Sequence, residues 1–185
     1  MTEDELRSTL VEAAYLEGDF VLRSGRRSRY YLDKYRFETR PDLLRPLGER
    51  IAAAVREHAP GATRLAAPEL GAVALAAAAS LESGLPFLIV RKAAKEYGTG
   101  NRLEGPFEEG ETVCVIEDVV TSGGALLDSV EALRAAGLVV QTAVCVVDRE
   151  EGGSDALARR AVRLRPLFRA GELLGDAKGP AKPHG

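Results

Sequence analysis

An α/β fold with a mainly parallel central sheet between helices is what this sequence predicts, and three observations predict it. Thr112 to Ile116 is a short run of continuous apolar character, the pattern of a strand covered on both faces. A helical stretch from Gly124 to Ala136 and a second apolar run from Val139 to Val147 follow it, so strand, helix and strand succeed one another at βαβ spacing. Upstream, a short strand over Leu65 to Ala67 leads into an almost wholly apolar helix, Ala72 to Leu81, which is expected to be buried on most sides.

The remaining elements follow in order. Residues 3–17 read as an amphipathic helix with acids in the first turn and Leu6, Leu10, Ala13, Ala14 and Leu16 on one face. Asp19 to Leu22 and Tyr30 to Leu32 read as short strands around a Ser24-Gly25 turn. Residues 42–58 form a second helix, opened by Pro41 and closed by Pro60-Gly61. Phe87 to Val90 is a strand. Residues 92–110 lack apolar periodicity and carry Gly98, Gly100, Gly105, Pro106 and Gly110, which predicts a lid or a disordered segment. Asp155 to Ala161, Arg163 to Leu167 and Ala170 to Leu174 complete one domain over 1–175, and 176–185 reads as a loose tail.

Composition excludes several classes. The chain has 185 residues, of which 45% are hydrophobic, enough for one domain with a proper core. No apolar run approaches the ~20 residues that cross a bilayer. Two cysteines, Cys114 and Cys145, make neither a disulfide framework nor a zinc ribbon, and both lie in apolar strands as core thiols. The two histidines, His58 and His184, are too few and too isolated for a metal site or triad. A net charge of −3 argues against a nucleic-acid partner. The one basic cluster, Arg23, Arg26, Arg27 and Arg29, reads as a solvated hairpin. An acidic N-terminus is unlike a leader peptide, so the expectation is a cytoplasmic protein. Arginine outnumbers lysine 20 to five, which marks the close pair Lys92 and Lys95 as positions where arginine does not serve.

The chemistry concentrates in one stretch. The strand ending in Ile116 delivers Glu117 and Asp118, and Val119-Val120-Thr121-Ser122-Gly123-Gly124 then opens a helix. Ligands of open α/β sheets bind at this carboxyl edge. Glycines, hydroxyls and the N–H groups of a helix N-terminus suit a phosphate dianion, while two acids suit sugar hydroxyls or a positive charge developing nearby. A phosphorylated sugar satisfies both. A plain helix N-cap by Thr121 or Ser122 explains the hydroxyls but not two acids at the end of an apolar strand.

This acid-acid-aliphatic-aliphatic-Thr-Ser-Gly segment resembles the phosphoribosyl-pyrophosphate signature of type I phosphoribosyltransferases. Phe20-Val21-Leu22-Arg23-Ser24-Gly25 with Tyr30-Tyr31, the lid segment Arg91-Lys92-Ala93-Ala94-Lys95-Glu96-Tyr97-Gly98, and Asp148-Arg149-Glu150-Glu151-Gly152 are similar to motifs of the orotate phosphoribosyltransferases. The resemblance spans about residues 18 to 153 and implies the type I phosphoribosyltransferase fold, with residues 1–40 as a small N-terminal hood and residues 92–110 as a flexible catalytic lid.

The resemblance also implies transfer of phosphoribose from phosphoribosyl pyrophosphate to orotate, giving orotidine monophosphate and pyrophosphate for pyrimidine biosynthesis. Glu117 and Asp118 then hold the ribose hydroxyls, and Thr121, Ser122, Gly123, Gly124 and Ala125, following Val119 and Val120, cradle the 5′-phosphate. Arg91, Lys92 and Lys95, with Tyr97, grip the pyrophosphate, whose loop contains Glu69 and Leu70. Thr121, Arg149, Tyr31, Leu32 and Arg23 line the orotate side, although Arg149 also reads simply as an ion pair with Glu150 or Glu151. Mg²⁺ is implied, held by substrate and water rather than by protein ligands, as is a homodimer whose lids act across the interface. The chain departs from the pattern at Arg23 (often lysine), Arg29 (usually proline), Tyr97 (often histidine) and Leu70 (basic in some members). Glu69 beside a pyrophosphate calls for a side chain turned away or a metal between, and a cis peptide at Glu69-Leu70 is expected. An acceptor base other than orotate, or a regulator that senses phosphoribosyl pyrophosphate while binding nucleic acid, stays open at this stage.

Overall fold

In the computed structural model the described residues are 1–21, 27–93 and 102–177. Leu22 to Arg26, residues 94–101 with Lys95 and Tyr97, and the tail beyond Ala177 lie outside them, so the expectations for Arg23, Lys95 and Tyr97 are not placed.

Helix α1 (Glu3–Ala14) starts at a capping box, in which Thr2 Oγ1 accepts from the Glu5 N–H and Glu5 returns the bond to the Thr2 N–H. It ends three residues before the predicted boundary. Tyr15 turns extended and opens β1 (Tyr15–Val21), which pairs antiparallel with β2 (Arg27–Leu32) in the register Tyr15↔Leu32 and Leu16↔Tyr31. The ladder wins over the helical pattern because the buried positions Leu6, Leu10, Ala13 and Ala14 already complete the helix face. A single turn, α2 (Tyr35–Glu38), follows with Phe37 fully buried beneath it. No pattern in the sequence announced it.

Helix α3 (Pro41–His58), β3 (Arg64–Pro68), α4 (Ala72–Ser83) and β4 (Phe87–Val90) then alternate. Further along the chain come β5 (Leu103–Glu104), β6 (Thr112–Val120), α5 (Gly124–Ala135), β7 (Val139–Asp148), α6 (Gly153–Ala158), β8 (Arg163–Arg169) and α7 (Ala170–Ala177). The six-stranded sheet has the order β5-β4-β3-β6-β7-β8. All its pairings are parallel except β4 with the short edge strand β5. The range 92–110 is therefore not wholly irregular: Leu103 pairs with Val90 and Glu104 with Ile89.

Strand alternation sorts the core onto two faces. Cys114 and Ile116 of β6 join the helices α1, α3 and α4 on one side, while Val113 and Val115 join α5 and α6 on the other. Both cysteines are fully buried, and burial pushes the Cys114 thiol up to about 12 and that of Cys145 well above its usual value. Helix α4 is less enclosed than its composition predicts. Leu75, Ala76 and Ala79 are buried and Gly48 of α3 lies against Ala78, but Val73 and Ala77 are half-covered and Leu81 is 87% exposed. No helix among the described residues is long and apolar enough to cross a membrane.

Candidate active site

The carboxyl edges of β3, β4 and β6 open into one cleft of about 750 Å³. Its wall contains Glu69, Leu70, Arg91, Lys92, Glu117 and Asp118, and the whole run Val119 to Ala125. Thirteen expected residues, separated by up to 56 positions in sequence, thus meet at one surface, because parallel strands bring all their carboxyl ends to the same edge.

The Thr121–Ala125 turn is built for an anion. Gly123 caps α5 with φ 81, a left-handed conformation, and no side chain caps the helix. The first N–H groups of α5 therefore point outward with the positive end of the helix behind them. Thr121 and Ser122 are exposed and do not act as the N-cap, which removes the plain capping explanation. The turn is braced from below by α6. The Arg149 N–H donates to Val120 O at 2.9 Å, and a Cβ on Gly153 would stand 2.5 Å from Val120 Cγ1 and 2.6 Å from Thr121 O. Only glycine permits that approach.

The acids sit beside this turn. Asp118 projects on the α2 side, where Lys34 reaches it. Glu117 and Asp118 are both nearly inaccessible, at 7% and 2%. Lys34, the residue before α2, donates from Nζ to Asp118 Oδ2 at 2.6 Å, and Glu38 one turn later lies against the same carboxylate. Asp118 and Glu38 thus stand at one amine, and the Glu117 charge is also felt there. Burial first, and then the Asp118 charge, push Glu38 and Glu117 each up to about 8. Burial opposes the charge of Lys34, but the Asp118 bond and the neighbouring acids outweigh it and its pKa is raised.

These shifts predict a pH dependence. A carboxyl raised from about 4.5 to about 8 is protonated in the folded chain and ionised in the unfolded one between those values. The unfolded state then holds fewer protons, so its contribution to stability is complete below pH 4.5 and is lost as pH rises towards 8. The melting temperature of the ligand-free protein is expected to fall between pH 6 and pH 8.5, and Glu117→Gln is expected to flatten that slope. A wild-type melting temperature that rises steadily across this range contradicts the cluster.

Across the cleft, the peptide Glu69-Leu70 is cis, as expected. The Glu69 carboxylate is turned onto the backbone, accepting from the Lys92 N–H at 2.8 Å. Arg91 faces Glu104 at 3.5 Å, with its Nε buried and no hydrogen-bond partner among the described residues. Arg102 donates to the Arg91 carbonyl and pairs with Asp128 of α5, so Arg91 and Arg102 are held to each other and to α5. Lys34, Gly71, Arg102 and Asp128 line the cleft and were not among the expected site residues. Lysine scarcity was the one signal that could have singled out Lys34.

Of the expected orotate-side residues, Thr121 lies in this cleft, while Arg149, Tyr31 and Leu32 lie outside it. Arg149, with 7% of its side chain accessible, lies over the Tyr30 ring at 5.2 Å, donates to the Tyr30 hydroxyl at 3.3 Å and pairs with Glu151 at 3.1 Å. Tyr30 also stacks on Tyr15 at 5.8 Å within the hood, and its contact with Arg149 ties the β1–β2 hood to the end of β7. Tyr31 is exposed and packs on Phe20, and Leu32 is buried. None of Arg149, Tyr31 and Leu32 contributes to the wall of the main cleft. The ion-pair reading of Arg149 is therefore met by its geometry.

A parallel sheet carries an acid pair and an uncapped helix turn at one edge, and the family described as the phosphoribosyl transferase domain matches residues 45–163. The orotate phosphoribosyltransferase of Methanocella arvoryzae is 51% identical over 158 residues, 85% of this chain and 89% of that protein. That of Natronomonas pharaonis is 46% identical over 177 residues, 95% and 99% of the two chains. The crystal structure of orotate phosphoribosyltransferase from Aeropyrum pernix superposes with a TM-score of 0.83 at 32% identity, covering 95% of this chain and 99% of that one. The chain belongs to the orotate phosphoribosyltransferase family.

Proposed function

We propose that this protein transfers the phosphoribosyl group of phosphoribosyl pyrophosphate to orotate, releasing orotidine monophosphate and pyrophosphate, a step of pyrimidine biosynthesis. The observation that carries the reading is the union in one cleft of an uncapped helix N-terminus with a buried acid pair. The bond from the anomeric carbon to pyrophosphate breaks as a ring nitrogen of orotate bonds to that carbon, and the proton of that nitrogen passes to the released pyrophosphate or to water. Positive charge gathers on the sugar and negative charge on the leaving group. Glu117 and Asp118 take the ribose hydroxyls and face the positive sugar, while the N–H groups at 121–125 hold the 5′-phosphate and fix the reacting carbon. Arg91 and Lys92 stand on the pyrophosphate side of the cleft, and Lys95 and Tyr97 are assigned there with them.

Arg149 is assigned to the orotate carboxylate. The support is a guanidinium held in place by Tyr30, with a buried Nε that has no hydrogen-bond partner among the described residues. Arg23, Tyr31 and Leu32 are assigned to the same side. Mg²⁺ fits a cleft lined by the hard oxygen donors of Glu69 and Asp118, which would hold its water ligands. When bound, it neutralises the departing pyrophosphate.

A homodimer completes the reading. Leu81 (87% exposed), with Val73 and Ala77 on the turns before it, forms an apolar strip along α4 that a second copy covers. Leu81→Arg is expected to leave monomers by sedimentation velocity and to lower turnover with them; an unchanged dimer places the interface elsewhere. Two buried, unpaired thiols support a reducing compartment, the cytoplasm. The direct test of the activity is loss of orotate absorbance on adding phosphoribosyl pyrophosphate with Mg²⁺, halted by a chelator. No absorbance change with folded protein sinks the proposal.

A further inference from the structure

We propose that Lys34 is the pyrophosphate-binding cation of the loop between β3 and α4, supplied from the hood instead of from the loop, with Asp118 as the carboxylate that aims its amine. This rests on the reading that pyrophosphate leaves through this cleft. The loop Pro68-Glu69-Leu70-Gly71 carries no base of its own. Glu69 adds an acid there, and Leu70 presents an exposed apolar side chain. An anion lying along the loop therefore needs a positive charge from another element.

The other described cations of the cleft are held by other partners or lie open to solvent. Arg91 is drawn to Glu104, Arg102 is locked on Asp128, and Lys92 is exposed at the exit of β4. The Lys34 amine, by contrast, lies over the loop backbone. A Cβ on Gly71 would sit 2.8 Å from Lys34 Nζ and would overlap Asp118 Oδ2, so glycine at 71 is what lets the amine reach the loop. One third of the Lys34 side chain is accessible, and the residue lines the cleft. An ammonium has three donors. Asp118 takes one of them, which leaves two for ligand oxygens. Phe37, fully buried under α2, anchors the turn that starts at Lys34.

The test is calorimetric binding of Mg²⁺ with inorganic pyrophosphate, run alongside steady-state kinetics. Lys34→Gln is expected to weaken pyrophosphate binding at least about tenfold and to raise KM for phosphoribosyl pyrophosphate by a similar factor, with KM for orotate within about twofold, the scale of one lost charge-assisted contact. Adding Leu70→Lys to Lys34→Gln places a base on the loop itself and is expected to recover most of the binding. Should Lys34→Gln fail to fold, Lys34→Met, which keeps the apolar stem packed, is read in the same way. Pyrophosphate affinity within twofold of wild type in either folded variant overturns the proposal, as does a loss that Leu70→Lys leaves untouched. A purely structural ion pair would lower the melting temperature without moving either constant. The pyrophosphate measurement involves no orotate, so a wild-type protein that binds pyrophosphate but does not turn over orotate counts against the acceptor assignment and not against Lys34.

Discussion

Asp118→Asn is expected to lower kcat/KM for phosphoribosyl pyrophosphate by about 10² to 10³ while the protein stays folded, the usual scale for removing one preorganised electrostatic contact to a transition state. The expectation follows from where the carboxylate sits. Asp118 is 2% exposed at the carboxyl end of β6 and holds the Lys34 amine at 2.6 Å. Asparagine keeps the shape but not the charge, so the sugar loses its nearest anion and Lys34 loses the group that orients it. The same change relieves repulsion, because the Asp118 charge is one of the causes that raise Glu38 and Glu117. Melting temperature is therefore expected to change little while turnover collapses. Kinetics within about tenfold of wild type would remove Asp118 from the reacting centre.

Gly153→Ala is expected to damage the site from behind. Its Cβ would enter the backbone of the phosphate turn, 2.5 Å from Val120 Cγ1, 2.6 Å from Thr121 O and 3.3 Å from the Gly123 N atom. Two of these three are main-chain atoms that cannot swing aside like a side-chain tip, so the turn itself must move. Overpacking of this kind costs about 1–3 kcal/mol of stability. A shift of about 1 Å at the turn costs on the order of 10² in turnover. The kinetic loss is expected chiefly in KM for phosphoribosyl pyrophosphate. Gly61→Ala, where nothing lies within 4 Å of the added methyl, is the control and is expected to behave as wild type. Equal kinetics for the two alanine variants would mean that α6 does not brace the turn.

The parts of the site that lie close together in the chain were legible in the sequence. Strand β6, the acid pair, the Thr-Ser-Gly-Gly turn and α5 occupy one continuous stretch, and each has a local signature: an apolar run, adjacent carboxylates, glycines, a helical period. The parallel sheet followed from the same local patterns repeated. What could not be read depends on seating distant elements together. Lys34 and Asp118 are 84 positions apart, and their contact exists because buried Phe37 fixes α2 against the core. Arg102 and Asp128 meet for a similar reason, through the strand β5, which is too short at two residues to show a period. The end of α1 was misplaced because Tyr15 and Leu16 suit a helix face and a strand ladder equally well, and pairing with Tyr31 and Leu32 decides between them. The exposed strip on α4 was hidden by composition alone: a run of alanines reads as buried whether or not the chain itself covers it.

The central claim is that the acceptor is the anionic base orotate, and pyrophosphate release measured side by side with orotate, uracil and adenine tests it most directly. A site that recognises the carboxylate with a guanidinium rejects bases lacking that group by about 10⁴ in kcat/KM, because the buried Nε of Arg149 is then left without an acceptor. The account predicts rapid release with orotate and background release with the two neutral bases, and it predicts that Arg149→Ala removes most of that difference. Comparable turnover of uracil or adenine by the wild-type protein would contradict it.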